Sequence, residues 1–217
     1  MKLRLWQIVF LFVLGGTAAL VGDHSHVVTG TTFYRTDAVP YLWSSPLWFP
    51  LLVGGATAAL GEVRLHLSAR RTTVTTRQVA GGVAAVVGMY VTTALVHSAP
   101  VVPVTALLVA AAVIVWCVVG DGSGAVCGAV AAVVGPAVEI ALAAAGLFGY
   151  GADADQLFGV APFLVPLYFA FGVVVAALGE RMTSTALGER MTSTALGERM
   201  TGTALGERMT NRAPGGG

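Results

Sequence analysis

The chain has 217 residues, of which 56% are hydrophobic and 11% charged, with a net charge of +1 and a mean hydropathy of +0.80. Soluble domains carry about 25% charged residues, so this chain has too little charge to cover a water-facing surface. The near-neutral balance also gives no footing for nucleic-acid binding, which needs a basic patch or stripe. The two cysteines, Cys117 and Cys127, lack metal-ligand spacing.

A helix needs about 20 mostly apolar residues to cross a bilayer core of about 30 Å. Six such runs follow in order: Leu5 to Gly22, Pro46 to His66, Gln78 to His97, Val101 to Val119, Ala125 to Phe148 and Gln156 to Leu178. They are separated by a polar stretch, Asp23 to Ser45, a basic Thr-rich turn, Ser68 to Arg77, a break at Ser98 to Pro100, a GDGSG turn, Gly120 to Gly124, and a short acidic turn, Tyr150 to Asp155. Runs such as Val104 to Val119 are apolar at nearly every position, which a barrel strand of alternating residues is not. The expected fold class is therefore all-α: a polytopic membrane protein built as a bundle of six transmembrane helices. The first run follows MKLR and loosely resembles a signal peptide, but it is long for one and no convincing cleavage site follows, so it is read as a span.

Orientation follows from Lys and Arg in short loops. With the N-terminus in the cytoplasm, Lys2, Arg4, Arg64, Arg70, Arg71, Arg77 and the five tail arginines lie inside, and Arg35 alone lies outside. Both termini are thus expected to be cytoplasmic. Trp6, Trp43 and Trp48 suit interfacial positions.

From Leu178 the sequence reads LGERMTSTA twice, then LGERMTGTA, LGERMT and NRAPGGG. Nine residues turn a helix by about 900°, so successive leucines alternate between opposite faces and form no continuous stripe. The domain plan is a membrane domain, residues 1–182, and a repetitive tail, residues 183–217, expected to be disordered.

Few residues are candidates for chemistry. Glu139 lies mid-helix in GPAVEIALAAAG, and a carboxylate inside a membrane is costly enough to suggest a role. Pro136, one turn earlier, frees a backbone carbonyl, and together the two could line a polar pocket. Glu62, Arg64 and His66 read as snorkelling residues at a helix end. His24 and His26 form an H-x-H pair without a nearby third ligand, so no metal and no cofactor is expected. His97 reads as a cap or interfacial residue, and the glycines of GDGSG as turn residues. No G-x-S-x-G, H-E-x-x-H or P-loop occurs, and the chain is not expected to be an enzyme. Small pairs, Gly55 with Ala59, Gly124 with Gly128 and Gly172 with Ala176, argue for close helix packing.

Two stretches together resemble the Insig family. Trp43 to Gly61, with Ser44, Ser45, Trp48, Phe49, Pro50, Gly55 and Ala58, resembles the start of that family's second helix. Asp121 to Arg181 resembles its last third: a turn Asp, Asp121, before a Gly-rich helix with Gly124 and Gly128, then Gly146 and Tyr150, Phe158 and Pro162, and a closing Gly179 to Arg181. Order and spacing carry the likeness, and no single motif does. The pattern departs at Gly122 and Ser123, where the family has basic residues, at Glu139, and in the repeated tail.

The resemblance implies a non-enzymatic, lipid-responsive membrane protein. Animal Insigs bind oxysterols between their helices, retain a sterol-sensing escort protein and engage HMG-CoA reductase; the turn Asp matters for the escort. Prokaryotic relatives look like binders of diacylglycerol-like lipid in a central cavity. The Ala/Val/Gly/Thr-rich composition looks prokaryotic, so those regulatory partners are not carried over. The expected ligand is a diacylglycerol-, sterol- or isoprenoid-like lipid, met by Glu139, Pro136, Trp48 and Pro50, with Asp121 and Gly124 marking the cytoplasmic turn. An unidentified membrane-protein partner and oligomers remain open. Two other functions compete: a small proton-coupled secondary transporter using Glu139, and an enzyme acting on isoprenoid lipids, for which Asp23, His24 and His26 are too few acidic and His groups.

Overall fold

Long apolar runs satisfy their backbone groups internally, and in the computed structural model they form helices. The structure describes residues 2–35, 39–67, 74–152 and 154–184. Its elements are α1 (Leu5–Thr29), β1 (Thr32–Tyr34), β2 (Tyr41–Leu42), β3 (Ser45–Pro46), α2 (Trp48–Arg64), α3 (Thr76–Leu95), α4 (Val101–Val119), α5 (Gly122–Ala144), β4 (Phe148–Tyr150) and α6 (Leu164–Ser184). Of the six helices among the described residues, five are long and apolar enough to cross a membrane; α2, with 17 residues, falls just short. Residues 185–217, which hold the later repeat copies, and residues 68–73 of the basic turn lie outside the described residues. By its contacts the chain divides into Met1–Arg181 and Met182–Gly217.

Several boundaries differ from expectation. The helix α1 continues seven residues past Gly22 and stops at Gly30, whose φ of 74° suits glycine. Asp23, His24 and His26 therefore sit on a helix and not in a loop, because neighbouring hydroxyls and carbonyls absorb their polarity. At the other turn Asp121 is the N-cap of α5: its Oδ1 accepts from Gly124 N at 2.7 Å, and Gly122 to Gly124 form the first helical turn. They are not turn residues. Gly146, with φ 75°, follows the last turn of α5, so Phe148 is in a strand and not in the span.

The helices approach closely where side chains are missing. A Cβ on Gly172 of α6 would lie 2.6 Å from the Cys127 carbonyl oxygen and 2.8 Å from Gly128 Cα, so α5 and α6 cross with backbones nearly touching. Gly179 of α6 meets the Gly61 backbone of α2 in the same way. Gly55, in contrast, faces open space, and Gly54 is the residue that packs on α1. The core lies around α6, with Val160, Ala170 and Val173 fully buried, while Leu107, Ile114 and Val133 point outward from α4 and α5.

Two short antiparallel pairs close one end of the bundle. β1 pairs with β4, Thr32 opposite Tyr150 and Tyr34 opposite Phe148. β2 pairs with β3, and Trp43 turns between them at φ 61°. Sequence periodicity carries no signal for strands of two or three residues.

Candidate functional site: a polar-ended internal cavity

Within Met1–Arg181 a cavity of about 350 Å3 opens between α2 and α5. Its long walls are apolar: Leu52, Val53, Ala56 and Leu60 from α2, and Val130, Val134 and Val138 from α5. Its polar groups gather toward the strand end: Asp23, His26, Thr32, Tyr34, Glu139, Tyr150 and Tyr168. A smaller chamber of about 70 Å3, between α1, α3 and α6, shares Glu139, Tyr90, Tyr168 and Phe171 with it.

Glu139 is buried, and its two oxygens are both engaged. Tyr168 donates to Oε1 at 2.6 Å, and Tyr150, on β4, donates to Oε2. The carboxylate thus ties α5 to α6 and to the strand cap. Asp23, also buried, accepts from Ser45 of β3 and from Tyr34 of β1. Burial first, then the adjacent Asp23 carboxylate, raises the Tyr34 hydroxyl far above the usual tyrosine range, so it stays a donor. His26 Nδ1 donates to the Gly22 carbonyl at 2.9 Å, and its Nε2 lies 3.1 Å from Thr93 Oγ1. His24 stacks on Trp43 with ring centroids 3.7 Å apart and bonds Ser44 at 2.7 Å.

Among the residues expected in the site, Glu139 and Trp48 line the cavity. Pro136 and Pro50 are buried but do not line it. Helical geometry explains the first correction: Gly135, Val138 and Glu139 take the cavity face, and Pro136 points away. Pro50 is turned toward α1, where its carbonyl oxygen would lie 3.1 Å from a Cβ on Gly16. Asp23, Tyr34, Tyr150 and Tyr168 were missed as cavity residues. The unusual polarity of Asp23 beside an apolar run was the one available signal.

At the opposite end Asp121 and Gly124 belong to an ionic cluster. Arg64 is 1% exposed, and its Nη2 donates to Asp121 Oδ2 at 2.6 Å and to Glu180 Oε2 at 2.5 Å. Arg64 does not snorkel, because two carboxylates from α5 and α6 hold it inside. It also supplies the base that the turn itself lacks. His97 bonds the Ala94 carbonyl at 2.8 Å, as a cap does. No group of three or more His, Cys, Asp or Glu residues placed to hold a metal occurs among the described residues.

Apolar helices around a cavity with a polar end define a polytopic helical membrane protein. No family model matches the chain. A curated INSIG protein homolog of Mycolicibacterium vanbaalenii is 71% identical over 180 residues, which is 83% of this chain and 88% of that protein. The crystal structure of a mycobacterial Insig homolog from Mycobacterium vanbaalenii matches with TM-score 0.81 and 71% identity, covering 83% of this chain and 95% of that one. A cross-linked trimer of that homolog matches with TM-score 0.81 at 70% identity, with the same coverage. The chain belongs to the Insig family.

Proposed function

We propose that the chain binds one membrane lipid in its central cavity and catalyses no reaction. The observation that carries this reading is the cavity: about 350 Å3, apolar along its length and polar at one end. Ligand pockets typically hold about 300–1,000 Å3 and combine apolar walls with a few placed polar groups. An amphiphile fits that division, its chain along α2 and α5 and its head near Glu139. Diacylglycerol-, sterol- and isoprenoid-like lipids all meet it. The opening between α2 and α5 would face the bilayer, so a lipid need not cross water to reach it.

The membrane frame is part of the same proposal. The helix α2 is about 26 Å long at 1.5 Å per residue, and about 17 residues is the lower end of the spanning range. Six crossings with both termini cytoplasmic place Arg64, Arg77 and Arg181 on the positive side. The trimer of the homolog supports self-association of this chain as well.

Native mass spectrometry of protein purified in mild detergent should show a one-to-one lipid adduct that survives gentle activation. A bare mass under those conditions would count against lipid binding.

A further inference from the structure

Two tight turns carry an aromatic residue where glycine would be at ease. In the first, Leu42 pairs with Ser45, so Trp43 and Ser44 are the central residues of a hairpin, and Trp43 has φ 61°. In the second, the bridge between Leu157 and Val160 encloses Phe158 at φ 52° and Gly159 at φ 87°. Favoured hairpin turns place Gly, Asn or Asp at the first central position, because a Cβ is strained at positive φ. Trp43 and Phe158 are the non-glycine residues with positive φ among the described residues. Both are also exposed, Trp43 at 61% and Phe158 at 83%. Strain held at bulky side chains that fill no core points to a use outside the bundle.

Both tips stand at one end of the bundle. Arg64, at the end of α2, meets Glu180, near the end of α6, so α2 and α6 begin together at the opposite end. Trp43 comes just before α2, and Phe158 just before α6. The first tip is held by α1. His24 stacks on the Trp43 ring at 3.7 Å and bonds Ser44 at 2.7 Å, and Ser45 donates to Asp23. The stack covers one face of the indole and leaves the rest of the ring open. Residues 41–52 hold no charged side chain, and Leu42, Trp43, Leu47, Leu51 and Leu52 are all exposed. The apolar outer face of α2 thus continues into the hairpin.

The helix α2 is short for a crossing: 17 residues make about 26 Å, against a hydrocarbon core of about 30 Å. A two-stranded hairpin keeps unpaired backbone edges, which hydrocarbon does not tolerate and the wet interface does. Tryptophan is enriched at that interface, with its apolar body in lipid and its N–H near water. Resting on the membrane frame proposed above, we propose that the hairpin Tyr41–Pro46 lies in the lipid–water interface at the strand end and extends the short crossing of α2. Trp43 is its anchor, His24 is the positioning residue that fixes the indole, and Phe158 is a second anchor before α6. The partner of this surface is the bilayer itself, and the cavity plays no part in it.

Depth-resolved quenching tests this on full-length protein in vesicles of dioleoyl phosphatidylcholine and dioleoyl phosphatidylglycerol. The vesicles carry phosphatidylcholine brominated either near the head group or near the bilayer midplane. The fluorescence lost on Trp43→Phe isolates Trp43 from Trp6, Trp48 and Trp116. Shallow bromine should quench that share several-fold more than deep bromine, and aqueous iodide should quench it weakly. His24→Ala should remove most of the depth preference, and His24→Phe, which keeps a stacking ring, should restore it. Phe158→Trp should add a share with the same preference. Strong iodide quenching with none from lipid would put the hairpin in water, and stronger deep quenching would put it in the core. Shielding from both quenchers would mean that a second copy of the chain covers it. Each of these results, or a depth preference unchanged by His24→Ala, would overturn the inference while the membrane frame stands. Trp116, exposed on α4, supplies the control. A Trp43→Phe protein that neither bromolipid quenches would remove the frame itself.

Discussion

Replacing Arg64 by Met should destabilise the protein by about 3–5 kcal/mol, the usual cost of removing one partner from a buried ion pair. Arg64 is 1% exposed and sits between Asp121 and Glu180 at 2.6 and 2.5 Å. Without the guanidinium, two carboxylates from α5 and α6 face each other beside α2 with no cation between them. The penalty comes from stranded charge more than from a lost attraction. Combining Arg64→Met with Asp121→Asn and Glu180→Gln should therefore recover most of the loss, and Asn at 121 still caps α5. Thermal unfolding in detergent, followed by circular dichroism, measures all of these. A triple variant no more stable than the single one would show that packing of the Arg64 side chain, and not charge balance, sets the cost.

Glu139→Leu is expected to cost about 2–6 kcal/mol, since each hydroxyl left without its acceptor costs about 1–3 kcal/mol. Tyr150 and Tyr168 both donate to this carboxylate, so one substitution strands two donors and loosens β4 from α5. Glu139→Gln should cost less, because its carbonyl still accepts one tyrosine. The two variants should also differ locally. Amide exchange in residues 148–150 should accelerate with Leu and change little with Gln. Equal stability of the two variants would mean that the tyrosines find other partners.

The bundle was legible in the sequence because its signal is local. Runs of 18 or more apolar residues announce helices wherever they occur, and the fourth, Val101–Val119, begins and ends where expected. The family was legible through the order of Trp48, Pro50, Asp121 and Gly179, and the 71% identity of the mycobacterial homolog bears that out. Glu139 stood out as a lone mid-helix carboxylate, and it does line the cavity.

What failed was long-range. Arg64 read as a helix-end residue reaching for water, because nothing near it in sequence shows that Asp121 and Glu180, 57 and 116 positions away, converge on it. Asp23 and His26 read as part of a polar loop after the first span for the same reason. Their partners, Ser45, Tyr34 and Thr93, arrive from other elements. Pro136 was placed in the cavity by its nearness to Glu139 in sequence. Three positions on a helix keep residues close in space, but the side chains still fan over different directions.

The central claim is that the lipid occupies this cavity and not the outside of the bundle. Ala56→Trp combined with Val134→Trp tests it most directly. Both residues line the cavity from facing helices, and Val134 is 53% exposed, so two indoles can fill the space without displacing the core. The account predicts that the double variant folds with a normal melting profile and loses the lipid adduct seen by native mass spectrometry in the unsubstituted protein. A plugged protein that keeps the same lipid in the same amount would contradict it.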